Sequence, residues 1–505
     1  MLTEPRSRYP GAQPFPDDAL WRRLFYGRER ESIKLTNQIL ANRLVVVFAR
    51  SGTGKSSLLN AGVAENLRAN GYIPLNIRLN VPKLASLDPI YDTIAAESQR
   101  QSVEYVAGAK DSLWDFLRTA EFWRDDVLLA PVLILDQFEE LFTLHSEFER
   151  STFVDQLSYL VRGVSPRMQN VQTEDASQVR ADGAAPNVKI VLSLREDFLG
   201  ELDELSDRIP GILDERFRLL PLTRSAASRA LSEPARVNDQ SLGVHPFELD
   251  ATAQDTILNF LEAAAASPKI ISRNVEPFQL QLICQYLEKV AKEKQREKYH
   301  IETRLTSRDI GGEYRLRRIL KDFFREQVAA VPRGQRHRVR VLCSEYLINP
   351  QGRRLRLEES EIKRILKIDI NTLHTLARGR LIRVDIVADQ AYYELSHDSL
   401  IKPILELRRP YLIFQSAFLI VVVVLGLLYA FDLIAAPILL GWDSLVALPK
   451  FPSSTTNITP NDVEFKRRFD LFMLVSISII GGIVLSLWTF GKFRELAGKW
   501  RRWRL

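Results

Sequence analysis

Seven consecutive residues, Ser51-Gly52-Thr53-Gly54-Lys55-Ser56-Ser57, bring together the side chains that handle phosphate. Gly52 and Gly54 let backbone N–H groups close around phosphate oxygens, Lys55 reaches the terminal phosphates, and Ser56 offers its hydroxyl to Mg2+. Ala49 stands where such loops usually carry their first glycine, a mild departure because the later positions keep their register. A second reactive group is Asp136, followed by Glu139 and Glu140. Asp136 would hold Mg2+ through its water shell, and one of the glutamates would orient an attacking water. The competing reading of the glutamates is a solvated helix start, where acidic residues favour the helix dipole. A third is Arg195, in Leu194-Arg195-Glu196-Asp197-Phe198, set to contact a γ-phosphate and so distinguish ATP from ADP, against a surface ion pair with Glu196 or Asp197.

The elements that must position these groups are strands. The uncharged β-branched run Leu44 to Phe48 reads as a buried parallel strand that delivers the loop into a helix starting near Ser57. Val132 to Leu135 reads as a buried strand ending in Asp136, and Lys189 to Leu194 as another ending at Arg195; Ile73 to Leu79 supplies a further strand. Helical patterns alternate with them, including 33–42 and a stretch with Trp114, Phe116, Leu117, Phe122 and Trp123. Alternation of this kind defines an α/β doubly wound parallel sheet with the phosphate loop and Asp136 at one edge.

Composition shifts divide the chain. Residues 1–24 read as an N-terminal arm without a cleavable signal peptide, 25–222 as the nucleotide-binding domain with a polar disordered insertion at 165–187, 223–313 as a helical lid and 314–407 as three helices followed by a β-hairpin, the winged-helix pattern. Then come two uncharged stretches, 412–431 and 471–490, each matching the ~20 residues that cross a bilayer core. Residues 432–470 form the intervening extracytoplasmic loop and 491–505 a basic tail. That tail carries +5 of the net charge of +6 and two tryptophans, so the basicity belongs to a membrane flank and argues against a nucleic-acid partner. Ser478, Gly482 and Ser486 place small side chains on one face of the second stretch for close helix contact. Two cysteines give neither metal spacing nor a disulfide framework. A hydrophobic content of 46% with 26% charged residues excludes wholesale disorder.

With these motifs in hand, the chain resembles the signal-transduction ATPases with numerous domains, the STAND class, in its bacterial novel-STAND branch. The likeness runs in order from Tyr9-Pro10-Gly11 and Phe25-Tyr26-Gly27-Arg28-Glu29 through the phosphate loop, Leu135 to Phe142 and Leu194 to Phe198, to Leu220-Pro221-Leu222-Thr223 and Leu395-Ser396-His397-Asp398. The resemblance implies ATP or ADP with Mg2+ as ligands, Tyr26 and Gly27 against adenine, Pro277 as the lid proline that touches it, Arg195 as the sensor arginine, and His397 bonding the β-phosphate of ADP. It also implies an arginine finger, for which Arg216 is the candidate. No repeat array or peptidase domain is expected on either end, and the ligand-sensing part usual in the class is not expected.

The expectation is therefore a slow regulatory ATPase that is closed with ADP, opens with ATP, assembles into homo-oligomers and acts at the inner membrane with both termini cytoplasmic, in antiviral defence or cell death. The trigger is unknown. A membrane-tethered winged-helix DNA-binding regulator and a membrane-bound motor stand as alternatives.

Overall fold

The computed structural model describes residues 6–81, 84–166, 184–265, 274–298, 303–387 and 390–407, with 426 alone beyond them. Residues Met1–Glu406 form one compact unit and Leu407–Leu505 a second, so the described residues fall almost wholly in the first.

Five strands build the central sheet: β1 (Leu44–Ala49), β2 (Tyr72–Ile77), β3 (Ala130–Asp136), β4 (Lys189–Arg195) and β5 (Arg216–Arg218). Their order is β2-β3-β4-β1-β5 and every pairing is parallel. Alternation along each strand explains why both faces are covered. Val45 and Val47 of β1, Val132 and Ile134 of β3 and Val191 of β4 point into one apolar layer with Leu58 and Leu59. Leu44 and Val46, Leu133 and Leu135, and Leu192 and Leu194 point into the other, with Tyr91, Trp114 and Phe153. A strand buried on both faces needs an uncharged run, which is what these segments are. Pro74 sits in β2 at the sheet edge, the place where a missing N–H is tolerated.

Register gathers the chemistry at one end. Ala49 lies opposite Arg195, and Asp136 opposite Ser193, so β4 stands between the phosphate-loop strand and the strand that ends in Asp136. Ligands of open α/β sheets bind outside these carboxyl ends.

Several expectations are corrected in detail. The helix with Trp114 ends at Thr119, and Phe122 and Trp123 lie on a strand, Glu121–Arg124, of a small antiparallel sheet. The Thr119 hydroxyl accepts from Ala109 N, and Asp125 and Asp126 both adopt positive φ in the two-residue turn to Val127–Leu128. Within 223–313 helices Arg224–Arg236, Ala251–Ala265 and Pro277–Lys298 dominate, yet Phe247–Leu249 and Thr303–Leu305 pair as a short parallel ladder. Downstream, helices Gly312–Ala329, Glu359–Leu366 and Ile370–Arg378 precede a hairpin of Ile382–Val387 and Gln390–Leu395, with Leu357–Glu358 as a third strand.

No helix among the described residues is long and apolar enough to cross a membrane. The two expected spans, 426 apart, and residues 167–183 of the expected insertion lie outside the described residues.

Candidate functional site

The phosphate loop leaves β1 and bends through Gly52 and Gly54, both at positive φ, into a helix that starts at Lys55. Thr53 is buried and ties the bend, its hydroxyl donating to Arg50 O at 2.8 Å while Arg28 donates to Thr53 O at 3.1 Å. The helix continues through one π-helical segment, Leu58–Val63. Its side chains hold the N-terminal arm: Ser57 Oγ accepts from Phe15 N at 3.1 Å and Asn60 donates to Phe15 O at 3.1 Å. Lys55 Nζ lies 3.4 Å from Ala49 O. Burial lowers its pKa from the ordinary lysine value, with Glu139 and Asp136 pulling the other way. A desolvated ammonium is a strong ligand for phosphate.

Asp136 is buried, and Ser56 Oγ donates to its Oδ2 at 2.7 Å while Ser193 Oγ donates to Oδ1 at 2.8 Å. Arg78 approaches Oδ2 at 3.4 Å and Glu140 at 3.7 Å. This donor set fits Mg2+: a carboxylate and a hydroxyl, oxygen ligands only, at the start of the helix that follows the loop. Among the described residues no group of three or more His, Cys, Asp or Glu could hold an ion unaided, so water or phosphate oxygens must complete the shell. Gln137, next to Asp136, takes φ of 60°, a strained position for a residue with a side chain. Glu139 and Glu140 open the helix Glu139–Leu144 and are both buried. Glu139 Oε2 accepts from Arg195 N at 3.2 Å, and burial raises its pKa despite Lys55.

Arg195 makes the ion pair with Asp197 that the sequence allowed, but from a buried position rather than at the surface. Its guanidinium is buried, donating to Asp197 at 2.6 Å and to Glu394 of the hairpin at 3.2 Å. Burial opposes its charge, but Glu394 and Asp197 outweigh that and raise its pKa. Phe198 lies beneath the Arg195 guanidinium at 5.7 Å and beneath that of Arg356 at the same distance. Glu394 also receives Arg354, Arg356 and Arg383, the last its cross-strand partner.

His397 is brought onto the phosphate loop. A Cβ on Gly52 would lie 2.4 Å from His397 Nδ1, so only glycine fits beneath the ring. The ring stacks on Phe278 at 3.7 Å between centroids, and Ser51 Oγ donates to Ser396 O at 3.3 Å. Burial, then Arg354, Arg383 and Arg380, push its pKa down to about 3, so the ring is neutral at physiological pH.

A cavity of ≈340 Å3 joins these groups, within the range of small-molecule sites. Tyr26, Pro277, Lys55, Asp136, Arg195 and His397 all line it, as do Ser51 to Ser57, Glu139 and Glu140. Gly27 does not; its φ of 86° lets the chain pass Ala226, whose carbonyl would lie 2.3 Å from an added Cβ. Arg216 sits exposed on the edge strand β5. Sequence reasoning missed Arg78, Ser193, Phe278, Arg354 and Glu394, which no local motif marks. It also missed the grip of the arm. Arg8 and Tyr9 are fully buried: Arg8 donates to Val237 O and Val244 O, and Tyr9 to Leu231 O.

A phosphate loop at the end of β1 and the acidic end of β3, with β4 between them, define a nucleotide-binding P-loop NTPase, an ATPase. Residues 9–409 match the family model described as Novel STAND NTPase 1, and the chain belongs to that family. Curated protein sequences give no match. Among solved structures the chain is similar to the Aeropyrum pernix ORC1 protein in complex with DNA, at 15% identity over 79% of this chain and 96% of that one, TM-score 0.37. It is similar also to a Walker-type ATPase of Pyrococcus abyssi, at 13% identity over 78% and 98%, TM-score 0.36. The Aeropyrum pernix ORC2 protein in ADPNP–ADP complexes gives 11% identity over 81% and 99%, TM-score 0.37. With TM-scores this low the likenesses carry no argument about this chain's function.

Proposed function

We propose that this ATPase is a membrane-anchored switch, closed with ADP and opened by ATP, that assembles into homo-oligomers at the bilayer. The observation that carries the reading is the seat of His397 against Gly52: a residue 345 positions downstream covers the phosphate loop. A neutral imidazole can donate one N–H to a β-phosphate there while remaining stacked on Phe278.

In this reading residues 223–313 act as the lid and 314–407 as a winged helix whose hairpin carries the latch. Tyr26 and Pro277 frame the adenine, Lys55 neutralises the terminal phosphates, and Ser56 with Asp136 holds Mg2+, which supplies further neutralisation of the phosphate charge. Glu139, buried with its pKa raised, takes the proton of the attacking water. Hydrolysis resets the switch, so turnover is slow. Arg216, exposed on β5, serves a neighbouring subunit in the assembled form. The uncharged stretches 412–431 and 471–490 anchor the chain in the inner membrane with the ATPase in the cytoplasm. Clustering of these spans perturbs the bilayer, the output expected of a defence or cell-death protein.

The test is the size of the full chain in detergent, with ADP and then ATP, for wild type and Lys55→Ala. ATP-driven assembly of wild type that Lys55→Ala lacks supports the reading. Equal assembly in both refutes nucleotide gating, and the absence of detergent-dependent solubility refutes the anchor.

A further inference from the structure

The cluster around Glu394 is not explained by nucleotide binding alone. Its carboxylate is buried at 4% exposure and receives four guanidiniums: Arg195 at 3.2 Å, Arg354 at 3.4 Å, Arg356 at 3.4 Å and Arg383 at 2.5 Å. Three of the four belong to the same downstream segment as Glu394. Arg195 alone comes from the nucleotide sheet, at the end of β4. This contact therefore ties the hairpin directly to the strand end that faces the phosphates.

We propose that Glu394 is the resting partner of Arg195, and that the γ-phosphate of ATP competes with Glu394 for that guanidinium, so that its arrival unfastens the hairpin from β4. Glu394 is a positioning residue: it acts on nucleotide through Arg195.

Three observations support the exchange. Removing one partner of a buried ion pair is costly when it strands a charge, and here it strands none. Glu394 keeps three guanidiniums when Arg195 leaves, and Arg195 keeps Asp197 at 2.6 Å. The cluster also has more positive than negative charge beside a cavity lined by Lys55, Arg195 and Arg383, so it favours an additional anion. Finally, Arg195 Nε is buried and has no hydrogen-bond partner among the described residues, a donor left for an acceptor that is absent from the closed arrangement. ADP, lacking the γ-phosphate, offers no rival to Glu394, which is the asymmetry a nucleotide switch requires.

The inference rests on the reading of Arg195 as the residue that senses the γ-phosphate, and the experiment separates the two. Dissociation constants for Mg-ADP and for Mg-AMP-PNP are measured on the full chain for wild type, Glu394→Gln, Arg195→Gln and the double variant. Glu394→Gln is expected to favour AMP-PNP over ADP by about tenfold relative to wild type, the scale of one charge-assisted hydrogen bond. In the Arg195→Gln background the same substitution is expected to change the ratio by less than about twofold. A ratio unmoved by Glu394→Gln, or moved equally with and without Arg195, overturns the proposal and leaves Glu394 a structural residue of the hairpin. If Arg195→Gln alone leaves AMP-PNP and ADP affinities at their wild-type ratio, it is the sensor reading that fails. Should Glu394→Gln not fold, Glu394→Asp carries the test. It keeps the charge for Arg354, Arg356 and Arg383 but falls one methylene short of Arg195, and a several-fold shift in the same direction is expected, with no shift counting against the proposal.

Discussion

Two buried carboxylates are satisfied in opposite ways: Asp136 lines the cavity, while Glu394 lies behind Arg195 and Arg383, which line it. Asp136 receives two neutral hydroxyls, from Ser56 and Ser193, with one half-exposed arginine at 3.4 Å. Besides Arg78, the Lys55 ammonium acts on it only through space, with no close ion pair, so both oxygens suit a cation. Glu394 receives four guanidiniums, which outweigh the burial penalty and hold its pKa below the ordinary glutamate value. Its surroundings are over-compensated, and an anion is what they lack. On the proposed function, the nucleotide complex would supply both, a metal ion at Asp136 and phosphate near the Glu394 cluster. The contrast suits the first to the metal-ligand role proposed for it and the second to the proposed relay.

The largest test of that contrast removes the charge of Asp136 while keeping its shape. Asp136→Asn keeps one acceptor oxygen for Ser56 or Ser193, puts an amide donor at the other position and loses the negative charge, and ATPase turnover should fall about 10²–10³-fold, with metal-free nucleotide binding little changed. Steady-state phosphate release and equilibrium binding in EDTA measure the two. A comparable loss of metal-free binding would mean that Asp136 is structural.

A middle-sized test asks whether the Glu394 cluster has charge to spare. Arg354→Met removes partners of both Glu394 and Asp398. Because Glu394 keeps three guanidiniums, unfolding by urea should show a loss of only about 1 kcal/mol, against the 3–5 kcal/mol typical of stranding a buried charge. The larger value would show that each arginine is needed for neutrality and would end the claim of over-compensation.

The smallest effect is one of pH. His397 has its pKa pushed down to about 3 in the folded protein, from about 6.5 in an unfolded chain. Its contribution to stability is therefore complete above pH 6.5 and is lost as pH falls toward 3. The linkage limit is 1.36 kcal/mol per pH unit. The ring keeps part of its surface accessible, so the expected loss from pH 6.5 to pH 5 is about 1 kcal/mol. Read as the difference between wild type and His397→Asn, this isolates the imidazole from the carboxylates. A wild-type profile parallel to that of His397→Asn would place the ring in water.

The Asp136 half of the contrast was legible in the sequence, because its parts are local: the loop runs over seven residues, and an apolar run ends in its acid. The strands came with it, since burial on both faces demands uncharged β-branched segments. Strand β5 was missed because three residues, Arg216–Arg218, are too few for a pattern. The strand at Phe122 and Trp123 was mistaken for helix because those aromatics continue the apolar spacing of Trp114 and Phe116, and only the turn at Asp125 and Asp126 gives the hairpin away. The Glu394 half was nearly invisible. Arg195 and Glu394 are separated by 199 positions, and nothing local distinguishes Glu394 from a surface glutamate on an alternating strand. The resemblance drew attention to His397 three residues later, and the chemistry beside it was left unread. The arm was likewise read only as an N-terminal arm, since Arg8 gives no hint of full burial until its carbonyl partners from distant loops are known.

The central claim is that the nucleotide's terminal phosphate controls how tightly the hairpin is held. Amide hydrogen exchange of peptides covering 382–395 in the full chain, with ADP and then with AMP-PNP, tests it most directly. Strong protection with ADP that falls by at least tenfold with AMP-PNP, while β1 and β3 keep theirs, is the predicted result. Equal protection of the hairpin in both nucleotides would contradict it.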